Sequence, residues 1–315
     1  MTNVPLGELT GNFVYPVTRK GRFFSLLFEL LYVDPSRSRE DQPSGPPKSL
    51  KQFLNSLENL KTATGGKNEK RCKYFNEATG VEAAFVAYEP EFGDEVGLAF
   101  EMALPRPTFF ALEALPLALS VAREKKFAIE VLHEDGSKYY ENPSFEDVLA
   151  EWRSLNSKAV SANGRVLRQG SAENLESMWE FAIVRQDLAR RYGRGRVEVP
   201  ELYPVVHKRS KTVGRMVDSD GLEKVALGES DWVRLIDPPA PLKNGAIYDA
   251  EELTLACKPL VRTVPQPIFH YLCDKSKVRD ELVERIAGLK SQTMRSFETV
   301  ELDQIFDEEG ILESP

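Results

Sequence analysis

The stretch from Val81 to Leu155 constrains the fold most. VEAAFVAYEP and VGLAFEMALP flank the acidic turn EFGDE, the pattern of two strands joined by a turn. RPTFFALEALPLALSVAREKK follows and predicts a helix, with Thr108 placed to cap it, Glu113 in its first two turns and Pro116 removing one internal hydrogen bond. FAIEVLHEDGSKYYEN reads as a strand, a turn at Glu134–Gly136 and a returning strand. SFEDVLAEWRSLN is a second helix. Ser144 and Asp147 begin it like a capping box, although the box proper takes Glu or Gln, and Phe145, Val148, Leu149 and Trp152 form its apolar stripe. This order predicts an α+β fold, an antiparallel or mixed sheet with helices packed on one face. A ferredoxin-like plait over Val81–Leu155 is one realisation.

Elsewhere the patterning is weaker. NFVYPVTRKGRFFSLLFELLYV reads as two extended segments around Thr18–Gly21, the second of which fits a short buried helix equally well. Asp34–Ser49 is Pro, Ser, Gly and charge, hence loop. Leu50, Phe53, Leu54, Leu57 and Leu60 fall at helical spacing, and TATGGKNEKRC ends that helix. The polar stretch Asn156–Asn174 predicts a boundary between an N-terminal α+β lobe (1–160) and a C-terminal helix and small-β lobe (161–315). The second lobe opens on a helix, LESMWEFAIVRQDLARRYG, with Leu175, Met178, Trp179, Ala182, Ile183 and Leu188 on its apolar side and Gly193 as its stop. Short strands follow, with turns at Asp220-Gly221 and Gly228. A short helix then opens at Asp249, and IFHYLCDKSKVRDELVERIAGLKSQTMRSF reads as two short helices or one interrupted helix.

Several function classes lack their signatures. Gly65-Gly66-Lys67 has Lys61 where a phosphate loop needs glycine and Asn68 where it needs Ser or Thr. GESDW lacks the second glycine of a serine-nucleophile elbow. The three histidines are His133, His207 and His270, and the three cysteines are Cys72, Cys257 and Cys273. His270 and Cys273 fall at i, i+3, with Cys257 nearby, but no C-x-x-C pair supports a metal, and buried thiols are the simpler reading. No cofactor or metal is expected. His133-Glu134-Asp135 supplies a base and carboxylates but reads more simply as a turn. Glu101, within LAFEMAL, stands on a strand face, as a solvent-facing carboxylate or as a buried general acid.

Charge is sorted along the chain. The net charge is -8, which argues against a general nucleic-acid or membrane binder. Yet Arg185, Arg190, Arg191, Arg194, Arg196, Lys208, Arg209, Lys211 and Arg215 face only Asp187, Glu198 and Glu201 in their segment, and His207 lies among them. The segment from Phe297 to Pro315 carries seven acids and no Lys or Arg. A charged edge strand explains the basic run blandly. An anion site is the sharper expectation, its partner another protein's acidic segment or the chain's own tail (about 297–315), bound through the arginine fork.

Three function classes follow: an intracellular interaction or regulatory protein of the inhibitor or immunity type; an enzyme of unrecognised family using carboxylate and histidine; and a nucleic-acid-associated protein. The scarcity of cysteine fits a reducing, cytoplasmic setting. The apolar run in RFFSLLFELLYVD contains Glu29, is too short to span a bilayer, and is followed by no small-residue cleavage site.

Overall fold

The computed structural model describes residues 24–32, 61–64, 69–88, 97–133, 136–163, 166–193, 196–220, 224–273 and 279–310. The helix expected over Leu50–Leu60 lies outside these residues.

The first sheet contains β1 (Phe24–Tyr32), β2 (Lys61–Thr64), β3 (Glu69–Phe75), β4 (Glu82–Tyr88), β5 (Gly97–Leu104), β6 (Phe127–His133) and β7 (Gly136–Tyr140). Its order is β2-β3-β4-β5-β1-β6-β7, antiparallel throughout. In place of a four-stranded plait over Val81–Leu155, β1 enters between β5 and β6. Within the chain read as a helix break after Leu60, β2 and β3 pair antiparallel. Alternation sorts the faces: Phe85, Leu98, Phe100, Met102, Ile129 and Val131 enter the main core, while Ala84, Val86, Ala99 and Leu132 cluster on the reverse.

Helices α1 (Thr108–Lys125) and α2 (Phe145–Ala162) cover the core face, and α3 (Ala172–Arg191) packs on α1. Asp147 does close the box with Ser144, accepting from its backbone N–H at 2.9 Å while donating to its hydroxyl at 3.1 Å. A carboxylate one methylene shorter than glutamate suffices. Thr108 does not cap α1. Pro107 stands at the cap position without a side-chain acceptor, and Thr108 is the first helical residue. Between α2 and α3 lies β8 (Arg168–Gly170). On α3, Phe181 is buried and Ile183 is 47% exposed, because the later part of the chain packs on the Phe181 side, where the Phe181 ring fills the space beside Gly228.

The second half adds β9 (Leu202–His207), β10 (Val213–Ser219), β11 (Val225–Gly228), β12 (Trp232–Leu235), β13 (Ile247–Asp249), α4 (Ala250–Cys257), β14 (Arg262–Val264), β15 (His270–Cys273), α5 (Arg279–Ala287), β16 (Phe297–Thr299) and β17 (Ile305–Asp307). A five-stranded sheet runs β13-β12-β10-β9-β16, with β10 and β12 parallel; β11-β15-β14 and β17-β8 form smaller sheets. His270–Cys273 is therefore a strand, not a helix: four apolar-rich residues have no period of their own, and pairing with β11 and β14 decides. One apolar core extends from Phe85 and Trp152 through Phe181 to Val217, Val233 and Ile286.

Residues 297–310 of the acidic C-terminal segment are built into this body. β16 extends the sheet beside β9, Phe297 and Ile305 are buried, and β17 pairs with β8. Its carboxylates meet helix starts: Asp307 accepts from Thr108 on α1, and Glu308 accepts the Ala172 N–H of α3 at 3.2 Å. Anions at helix N-termini interact favourably with unpaired N–H groups and the helix dipole.

Candidate anion-binding surface

The ten residues of the basic segment fall into three places. Arg185, Arg190, Arg191 and Arg196 lie on the last turns of α3 and just beyond, while Arg194 is outside the described residues. Arg185 pairs with Glu201 at 3.4 Å, Arg190 with Asp187, and Arg191 donates to the Gln266 carbonyl at 3.1 Å. Arg215 turns inward. It is 11% exposed at its side chain, pairs with Asp231 at 3.3 Å and donates to the Ser177 hydroxyl at 3.1 Å. It ties β10 to α3.

His207, Lys208, Arg209 and Lys211 form the β9–β10 turn, at the other end of β9. The extended chain from Glu201 to Lys208 spans roughly 20 Å, so the segment is not one patch. The turn is tightly built. His207 N–H donates to the Thr212 carbonyl at 2.9 Å, and Lys211 N–H to the His207 carbonyl at 2.8 Å. Ser210 N–H donates to His207 Nδ1 at 3.3 Å, and the Ser210 and Thr212 hydroxyls lie 2.7 Å apart. Lys211 holds φ 63, a conformation that costs a residue with a Cβ about 1 kcal/mol and ordinarily goes to Gly or Asn.

Beneath the turn lies an aromatic floor. The His207 ring stacks on Trp232 with centroids 6.0 Å apart, and Phe297 meets both edge-on at 5.3 and 4.9 Å. Gly214 makes room for the indole: a Cβ there would stand 2.5 Å from Trp232 Cζ3. Lys208 Nζ donates to the Arg295 carbonyl at 3.1 Å. Among the described residues, Lys208, Arg209 and Lys211 have no ion-pair partner and are exposed. The tail contributes Phe297 to this floor, while its acids pair elsewhere, Glu298 with Arg168 at 3.5 Å and Glu309 with Arg153 at 4.0 Å.

The expected carboxylate and histidine groups do not converge. Glu101 pairs with Arg71 at 2.9 Å on the face carrying Ala84. His133 follows Leu132, which lies on that same face, so its side chain points to the opposite one. There its Nε2 meets Glu151 at 2.8 Å. Glu151, 4% exposed, also accepts from Lys138 at 2.8 Å and Tyr140 at 2.6 Å. Burial pushes this carboxyl up, but the bonds from Lys138 and Tyr140 and the charges of Lys138 and His133 outweigh it and hold it below its ordinary value. Burial and the bonded carboxylate push the Tyr140 phenol up. A carboxylate so engaged latches α2 to the β6–β7 edge. Glu151 had no signal in the sequence, where it is one helix acid among several.

On β15, His270 and Cys273 at i, i+3 face opposite sides of the strand. Cys257 is buried, and burial pushes its thiol up to about 11. Among the described residues no three His, Cys, Asp or Glu side chains are gathered to hold a metal ion. Comparison with protein families, with curated proteins and with solved structures found no match to this chain.

Proposed function

We propose that the protein is an intracellular, cytoplasmic interaction or regulatory protein, of the inhibitor or immunity type, that docks an acidic segment of a partner protein on the β9–β10 turn. One observation carries this reading: three exposed cations without ion-pair partners among the described residues stand on a turn locked by its own hydrogen bonds, above the His207, Trp232 and Phe297 rings. In a molecule of net charge -8, such a place attracts anions against the general field. The turn is already ordered, so little conformational entropy is lost on binding. The half-buried His207 and Trp232 rings, backed by buried Phe297, supply apolar contact for side chains between the acids of a peptide. No helix of the described residues is long and apolar enough to cross a membrane.

The experiment is a titration of the full chain with a mixed acidic and aromatic peptide, read by Trp232 fluorescence at two salt concentrations. Binding should weaken with salt and disappear in Lys208→Glu/Arg209→Glu/Lys211→Glu. If that variant binds as the parent does, the reading is wrong. A single-stranded oligonucleotide serves as the second arm. Tighter binding of the oligonucleotide, with the steep salt dependence of phosphate contacts, would favour the nucleic-acid-associated reading instead.

A further inference from the structure

A second candidate site lies at the opposite end of β10 from the basic turn. A cavity of about 290 Å³ opens between the ends of β10 and β12 and helix α5, and Leu235, Pro238, Leu242, Leu282 and Ile286 contribute apolar wall. Asp220, Lys224 and Arg279 also line it. The volume is near the lower end for small-molecule sites and holds about ten water-sized groups.

Its walls are preformed. Asp237 N–H donates to the Asn244 side-chain oxygen at 3.2 Å, and Asn244 Nδ2 returns a bond to Asp237 Oδ1 at 3.0 Å. Gly245 N–H donates to the Leu235 carbonyl at 2.8 Å, closing the loop that carries Pro238 and Leu242. Lys224 is fixed by its backbone, with φ 54 and its carbonyl accepting Glu198 N–H at 2.7 Å. Leu282 and Ile286 are buried on the inner side of α5. Among the described residues, Lys224 and Arg279 have neither a hydrogen-bonding nor an ion-pairing partner for their side chains. Asp220 is the one carboxylate among the described lining residues. Two cations against one acid leave these residues with a single positive charge.

We infer that this cavity binds a small amphiphilic monoanion, an apolar body of about eight carbons ending in a carboxylate. The body replaces water on the Leu235, Leu242, Leu282 and Ile286 surface. The carboxylate meets Arg279 through its planar fork and Lys224 as a point charge. Asp220 disfavours a second negative charge on the ligand.

The test is calorimetric titration of the full chain with octanoate, with octanol and acetate as the arms that lack the charge or the body. Octanoate should saturate at one equivalent, with octanol and acetate each weaker by about tenfold or more. Lys224→Glu/Arg279→Glu, both exposed, should weaken octanoate by a similar factor while the far-ultraviolet spectrum stays that of the parent. Val283→Trp, which fills the cavity from α5, should abolish binding; if it fails to fold, the charge variant decides alone. Lack of saturation by octanoate, equal binding of octanol, or undiminished binding to the charge variant would each overturn the inference.

Discussion

Asp307 accepts two hydrogen bonds from Thr108, from its backbone N–H at 2.7 Å and from its hydroxyl at 2.6 Å. A third comes from Gly310 N–H at 2.7 Å. The C-terminal segment thereby supplies α1 with the acceptor that Pro107 cannot provide. Around the same point, Asn156 donates to the Gly310 carbonyl and holds the Arg106 backbone from both sides.

Asp307→Ala should therefore destabilise the protein by about 2 kcal/mol, the upper range for a lost helix cap with a buried donor left unpaired. Urea denaturation measures it, and a change near zero would mean that Asp307 does not stabilise the start of α1. Truncation before Phe297 should cost more, since it also removes the buried Phe297 and Ile305 side chains and uncovers the core surface they cover.

Glu113 is a second junction. Its Oε1 accepts from Tyr74, Asn76 and Thr79 at 2.7, 2.9 and 3.1 Å, and its Oε2 accepts from the Trp179 indole at 2.6 Å. One carboxylate thus joins the β3–β4 region, α1 and α3. Burial first, then the bond and charge of this carboxylate, push the Tyr74 phenol up. Glu113→Ala should cost about 3 kcal/mol by leaving several donors unpaired, with Glu113→Gln in between and a shift in Trp179 emission in both.

Acid should lower the protein's stability over two separate pH ranges. His270 is buried; its Nδ1–H donates to the Ile268 carbonyl at 2.7 Å, leaving Nε2 to accept the Tyr192 hydroxyl at 2.6 Å. Burial chiefly, aided by the charges of Arg191 and Arg262, lowers its pKa despite the Ile268 bond. Below the unfolded value of about 6.5, the unfolded chain takes up a proton that the folded chain refuses, so stability falls as pH drops toward the lowered folded value. Glu151, also lowered, adds a second loss below about pH 4.3, where the unfolded carboxylate protonates first. Denaturation midpoints across pH should show both slopes, and His270→Gln should flatten only the upper one. A midpoint independent of pH between about 6.5 and 5 would contradict the buried neutral imidazole.

Gly214→Ala tests the aromatic floor. The added methyl meets Trp232 and Asp231 Oδ2 at 2.9 Å or closer, so the ring must move, at about 1–3 kcal/mol. The acidic peptide should then bind less tightly although every cation remains. Unchanged affinity together with a shifted Trp emission would confine recognition to the charges.

The α+β class was legible because it rests on local chemistry. Phe85 and Phe100 take inward positions in the alternating patterns of β4 and β5, Ser144 and Asp147 close a cap within three residues, and Gly193 (φ 82) follows the end of α3. Such features depend on neighbours a few residues away, and period and propensity report them. The candidate surface was legible only in part. Charge counts singled out the whole segment from Arg185 to Arg215, but Arg185, Arg190 and Arg215 have their own acids, and Trp232 and Phe297 come from other strands.

By itself, then, the sequence determined the strand alternation of β4 to β6, the presence of helices α1 to α4, and that opposite charges occupy separate stretches of chain. Tertiary structure alone decided that β1 sits between β5 and β6, that His270–Cys273 is a strand, and that the acidic tail caps α1 and α3. The reason is range. Strand pairing and ion pairing join residues whose separation along the chain carries no local pattern, as with Thr108 and Asp307, and their energies appear only once the core has brought them together.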